Sequence, residues 1–298
     1  MALPSYASPV QKTYYYFYLF FCGVVFFFLV APLIAIVPIS FSVSPFMVFT
    51  DGMLAWPPDP EAWSFRWYRN MIGDCSADVV SSTVPCSNKW MIGTVNSFFI
   101  GIVATVIATA LGTLAALGLS RPHMPFKGLI MAILISPMIV PLIITAAGMF
   151  FFYARINLVY TFTGVILAHV ALATPFVVIT VTATLVGFDM NMVKAAQSLG
   201  ARPVKTFFRV IMPLILPGVI SGALFAFITS FDEVVIVMFM ASLDQLTIPK
   251  QMWAGIRQEI SPVILCMATC LVALSIFLLT TVELLRRRSE RLRGIKPR

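Results

Sequence analysis

Two adjacent carboxylates, Asp232 and Glu233, follow Ser230 and Phe231 inside an otherwise apolar run. Ionisable groups at such a depth are costly in lipid and mark functional sites by default. Carboxylates beside aromatic rings suit an alkyl-ammonium ion, through charge pairing and a cation–π attraction of about 0.5–2 kcal/mol. Neighbouring residues on a helix point about 100° apart. Glu233 therefore continues the face of Gly222, Ala226, Thr229 and Ser230, whereas Asp232 shares a face with Phe225, Ile228, Ile236 and Phe239. Counted from Pro213, Asp232 lies about 28 Å along such a helix, toward the outer side of a hydrocarbon core about 30 Å thick. Two readings follow. Phe225, Ser230, Asp232 and Glu233 form a wall of a cation pathway, or the acids pair with Arg or Lys of a neighbouring helix or loop. His169, alone in another apolar run, reads as a neutral imidazole bonded to a neighbouring helix, and Asn96 as a helix-packing hydrogen bond.

Other chemistries lack their residues. The chain contains no Gly-x-x-x-x-Gly-Lys-Ser/Thr phosphate loop, so it does not bind ATP in the P-loop manner. It has neither a Gly-x-Ser-x-Gly elbow nor His-Glu-x-x-His, and no Cys/His cluster has metal-ligand spacing. An enzyme would need a convergent nucleophile and base, and none is visible. Cys75 and Cys86 flank a short polar stretch; in an oxidising compartment they either close a small loop or remain two free thiols.

A basic, polar island lies between two long apolar segments. Asp189 and Asn191 are good N-cap residues, and Met192, Ala195, Ala196 and Leu199 recur at helical spacing after them. Gly200 sits where a helix would stop in a left-handed turn. Pro203 can open a second short helix with Val204, Phe207, Phe208 and Ile211 on one side and Arg202, Lys205 and Arg209 on the other. The island thus reads as helix, tight turn, helix, with a shallow apolar face for protein packing and a basic rim.

These residues resemble the cytoplasmic loop of ABC importer permease subunits, where Glu-Ala-Ala, three residues, Gly, nine residues, an aliphatic residue, one more and Leu-Pro recur. Ala195, Ala196, Gly200, Val210 and Met212-Pro213 fall on that spacing, with Lys194 in the Glu position and Met212 in the Leu position. Pro217-Gly218-Val219-Ile220-Ser221-Gly222 and Ser230-Phe231-Asp232-Glu233-Val234-Val235 resemble the polyamine and opine branch. The resemblance is detailed from about residue 191 to 239 and rests on layout elsewhere. It implies a type I importer permease with no cofactor of its own. ATP and Mg would be bound by a dimer of separate ATP-binding subunits, into which Lys194, Ala195, Ala196, Gly200, Arg202, Lys205 and Phe208 would dock. A sister permease and a periplasmic solute-binding protein would complete the complex, in a bacterial inner membrane. Lys194 departs from the pattern, so docking would rely on the small residues, with Lys194 meeting an acidic patch.

Composition supplies the frame. At 60% hydrophobic and 11% charged, with mean hydropathy +0.96, the 298 residues describe a polytopic membrane protein. Six spans are expected at about 17–39, 90–119, 128–153, 161–186, 213–240 and 261–285. Small residues pattern the second span for close packing, and Pro137 and Pro141 bend the third. Both termini then lie on one side. Placing them in the cytoplasm puts fourteen basic residues inside and six outside, as the positive-inside rule requires. The net charge of +8 thus reports topology and anionic lipid, not nucleic acid. The expected organisation is an all-α membrane protein. Residues 1–89 form a tail, a span and a large outer loop; 90–285 form a five-helix core with the coupling loop at 187–212; and 286–298 form a basic tail. An ion-driven secondary transporter and an importer of a non-cationic solute are the rival functions.

Overall fold

The computed structural model describes residues 8–74, 76, 88–121, 123–186, 188, 189, 191–258 and 261–292, and of residues 258, 278 and 281–292 the backbone alone. Among these the chain is all-α, with one isolated bridge between Ser42 and Trp63. It divides into two compact units, residues 89–254 and residues 1–88 with 255–298. The Cys75–Cys86 pair lies outside the described residues.

In the second of these units, α1 (Pro9–Ile39) starts earlier than its apolar run because Ser8 and Gln11 form a reciprocal capping box and Pro9 opens the helix. No residue of α1 is buried, so its Phe-rich surface is left for lipid or another chain. The connection beyond it carries α2 (Asp51–Leu54), a 3-10 turn (Pro60–Ala62) and α3 (Arg66–Met71). Trp67 anchors this connection: it is fully buried and its Nε1 donates to Ser42 O at 2.8 Å.

The core of residues 89–254 is a three-helix contact among α4 (Lys89–Leu119), α7 (Phe162–Val186) and α10 (Met212–Phe231). Between α4 and α7 in sequence come α5 (Lys127–Ile139) and α6 (Leu142–Arg155). Val177 of α7 is fully buried where all three helices meet. A Cβ on Gly112 would sit 2.6 Å from Val177 Cβ, and one on Gly222 would sit 3.0 Å from Val177 Cα and 2.5 Å from Thr180 Oγ1. Gly218 is pressed as closely against Thr184. Backbones approach this closely only at glycine, which is how helices associate where lipid removes the hydrophobic drive.

Three expected spans differ from uniform rods. The third is a pair, α5 and α6, bent by 101° around Val140–Pro141. Pro141 cannot donate an N–H and disfavours helical geometry in the residue before it. The fifth begins earlier and ends earlier than expected. After α8 (Asn191–Ser198), α9 (Pro203–Thr206) passes through a π-helical turn (Phe207–Ile211) into α10. Met212 N donates to Phe207 O, five residues back, which widens the turn just ahead of Pro213 and lets the helix run through it. The helix stops at Phe231, and α11 (Val235–Met240) restarts after a break. An amphipathic α12 (Ile248–Gln258) follows, then α13 (Val263–Leu292), which stays helical past residue 285 where a separate tail was expected. Among the described residues four helices are long and apolar enough to span, or five with the bent pair as one; the apolar part of α13 is the shorter Val263–Phe277.

Candidate translocation and coupling sites

The break in the fifth span sets the acidic site. Asp232 caps the end of α10, its backbone N–H bonded to Ile228 O at 3.0 Å, and its side chain is exposed. Glu233, one residue on, is 7% exposed, and its Oε1 accepts from Ile236 N at 2.9 Å. That bond satisfies an orphan donor in the first turn of α11, the part an N-cap plays. A continuous helix would have kept Asp232 in line with Ile236 and Phe239; the break parts them. The two acids therefore separate into one exposed carboxylate and one buried helix cap. Neither is ion-paired to Arg or Lys among the described residues.

Ser230 is also held by protein. Its Oγ lies 2.8 Å from Nδ1 of His169, which is 1% exposed on α7. This is the inter-helix bond expected of His169. Asn96 likewise serves packing: its amide donates to the carbonyls of Asp244 and Leu246 at 2.7 and 2.9 Å, tying the segment after α11 to α4. Phe225 is half exposed and stacks on Phe176 of α7, centroids 6.4 Å apart at 23°. Phe176 and Lys250 escaped the sequence reading. Lys250 Nζ donates to Ala241 O at 2.8 Å and to Val237 O at 3.5 Å, closing the C-terminus of α11. Burial holds the Lys250 ammonium below its usual pKa.

The exposed face of α10 gathers Leu214, Ile220, Ser221, Leu224, Phe225 and Ile228 and ends in Asp232. Its opposite face, with Gly218, Gly222, Ala226 and Ser230, is the buried contact. A charged group seldom faces hydrocarbon in a span, so a face bearing Asp232 meets a water-filled path or another chain.

At the other end of this helix lies the basic island. Asn191 N donates to Asp189 Oδ1 at 2.9 Å as α8 begins. Past the end of α8 at Ser198 the chain turns at Gly200, φ 76°, with Gly200 N bonded to Gln197 O at 2.9 Å and Ala201 N to Ala196 O at 3.0 Å. These two bonds make a Schellman cap, as the glycine foretold. Arg202 then caps α9, with Pro203 at its first position. Leu199 is 88% exposed, and Val204 and Phe208 are more than half exposed, while Phe207 and Ile211 turn inward. Lys194, Ala195, Arg202, Lys205 and Arg209 are exposed around them, and Ala196 is half-buried. Behind the island a cavity of about 840 Å³ is lined by Leu117, Arg121, Phe188, Gln197, Thr206 and Phe207 among others.

A broken span bearing an exposed acid is joined to a capped basic loop with its apolar residues turned out, and the family this chain matches is one of membrane transport subunits rather than enzymes. The chain belongs to the binding-protein-dependent transport system inner membrane component family, whose profile matches residues 108–291. It is 28% identical over 271 residues to the spermidine/putrescine transport system permease protein PotC of Haemophilus influenzae, covering 91% of this chain and 96% of the relative. It is 29% identical over 252 residues to the putrescine transport system permease protein PotI of Escherichia coli, covering 82% and 81%. The trehalose transport system permease protein SugB of Mycobacterium tuberculosis is 29% identical over 203 residues, 68% of each chain. The fold matches a chain of a bacterial ABC transporter involved in alginate import, with TM-score 0.72, 14% identity, and coverage of 94% of this chain and 99% of that one. The chain is thus a multi-pass permease of the ABC importer type and resembles the polyamine branch.

Proposed function

We propose that this chain forms half of the translocation pathway of an ATP-driven importer for polyamines or related cationic amines in a bacterial inner membrane. The exposed Asp232 at the end of the α10 face carries the reading. An ammonium there exchanges hydration for a carboxylate that is exposed and not ion-paired among the described residues, with Phe225 and Phe176 offering π faces two turns below. The names of the relatives PotC and PotI point to the same substrates. The trehalose relative keeps a neutral solute as the alternative, and the unpaired acid favours the cation. Ser230 and Glu233, held by His169 and Ile236, support this wall rather than touch the solute.

In the same reading the island from Asn191 to Arg209 docks on a separate ATP-binding dimer, which holds ATP and Mg. Its exposed Leu199, Val204 and Phe208 would enter a groove, with Lys194, Arg202 and Lys205 as a basic rim. A sister permease covers the α10 face, and a periplasmic binding protein delivers the solute. The test is to purify the chain with its co-expressed partners and reconstitute it in liposomes. Uptake of labelled spermidine or putrescine is expected to require enclosed ATP and the binding protein. Uptake by the chain alone on an ion gradient would overturn the reading.

A further inference from the structure

We propose that His169 is a positioning residue for translocation: by holding Ser230 it fixes where the broken fifth span presents Asp232. The inference rests on the pathway reading above and adds a residue outside the exposed wall. Ser230 lies one residue before the last residue of α10, and Asp232 is that helix's C-cap. Below Ser230, Gly222 and Gly218 press the helix against α7 with no room for a methyl group. Beyond Phe231 the chain leaves the helix for three residues. A helix end that borders a break frays unless a side chain or a cap holds it. Two cross-helix contacts hold it here: the edge-to-face packing of Phe231 on Phe98 of α4, and the directional one, the 2.8 Å hydrogen bond between His169 Nδ1 and Ser230 Oγ, buried on both sides.

The other ring nitrogen strengthens the case. Among the described residues His169 Nε2 is buried without a hydrogen-bond partner. A buried polar atom left unpaired costs stability, so an apolar side chain would fill this place at least as well if packing were the purpose. Val165 and Ala173, one turn to either side on α7, are fully buried apolar residues. An imidazole kept with one nitrogen unpaired is explained by what the paired nitrogen does at Ser230. When the permease alternates between states, the α10 end must hold one arrangement per state, and a single directional bond does this where apolar contact would let it slide.

The variants are His169→Asn, which keeps a polar atom near the δ position, and His169→Leu, which removes it. Each is made alone and with Asp232→Asn in the complete complex, and the readouts are yield, melting temperature, basal ATP hydrolysis and ATP-driven spermidine uptake. His169→Leu removes the unpaired Nε2, and the freed Ser230 hydroxyl can bond back to a carbonyl of its own helix, so yield, melting and basal hydrolysis are expected to hold while uptake falls about five- to tenfold, the scale of one directed hydrogen bond. His169→Asn restores most of the loss. His169→Leu with Asp232→Asn transports no worse than Asp232→Asn alone, because both act on one contact. Normal uptake in His169→Leu beside impaired Asp232→Asn overturns the inference and leaves the pathway reading standing. Lowered yield or melting in His169→Leu, or additive losses, assigns the residue to packing and also overturns it. Normal uptake in Asp232→Asn instead removes the pathway reading itself.

Discussion

Replacing Glu233 by Ala removes the oxygen that accepts from Ile236 N–H at 2.9 Å. No water easily takes its place, because Glu233 is buried and Ile236, Val237 and Met240 of the six-residue α11 are fully so. An N-cap acceptor contributes about 0.5–2 kcal/mol, and a buried donor left unpaired costs about 1–3 kcal/mol. The loss should therefore fall near the upper end of the cap range, about 2 kcal/mol, or roughly a thirtyfold change in the folded-to-unfolded ratio. Glu233→Gln keeps a carbonyl oxygen at the same reach and should lose little. The assay is thermal unfolding of the purified complex in lipid nanodiscs, with wild type, Glu233→Ala and Glu233→Gln measured side by side. Two results refute the reasoning: an Ala variant as stable as wild type, or a Gln variant as damaged as Ala, which would mean that the charge rather than the cap matters.

Other expectations follow from the packing and the loop. Gly200→Val puts a β-branched residue at φ 76°, so the Schellman turn should open and binding-protein-stimulated ATP hydrolysis fall while the chain still inserts; unchanged stimulation would contradict this. Gly222→Ala meets Thr180 Oγ1 and the Val177 backbone and should destabilise by about 1–3 kcal/mol. Gly148→Ala on α6, with nothing within 4 Å, should be neutral or slightly stabilising, and melting of the two variants checks the contrast. Lys250, in the segment after α11, is held below its usual pKa by burial. Its burial penalty is full below the folded-state value and is relieved as pH climbs through it toward about 10.4, so stability should rise with pH there and Lys250→Met should flatten the rise.

Much of this was legible in the residues. Gly200, Pro203, Gly101 and Gly112 each have one cheap conformation or packing use, and the structure adopts it, whereas Gly118 of α4 meets nothing within 4 Å. His169 and Asn96 were readable as packing hydrogen-bond groups because a polar group in a span must find a partner, although Asn96 finds its own in the segment between α11 and α12 rather than on a helix. The division of labour between Asp232 and Glu233 was not. A helical wheel assumes an unbroken helix, and the stop at Phe231 arises without Pro or Gly at residues 231–235. The 101° bend between α5 and α6 was legible as a bend but not in size, because proline frees the backbone without choosing its new direction. Lys250 reaches α11 from thirteen residues beyond Val237, a contact no local pattern encodes.

The central claim is that the exposed carboxylate of Asp232 at the end of the α10 face carries a cationic solute. ATP-driven uptake by the reconstituted complex with Asp232→Asn tests it most directly, since the amide keeps size and removes charge. The account predicts uptake lower by roughly ten- to a hundredfold, the cost of about 1.5–3 kcal/mol for a lost charged contact, with yield and basal ATP hydrolysis unchanged. Wild-type uptake in that variant would contradict it.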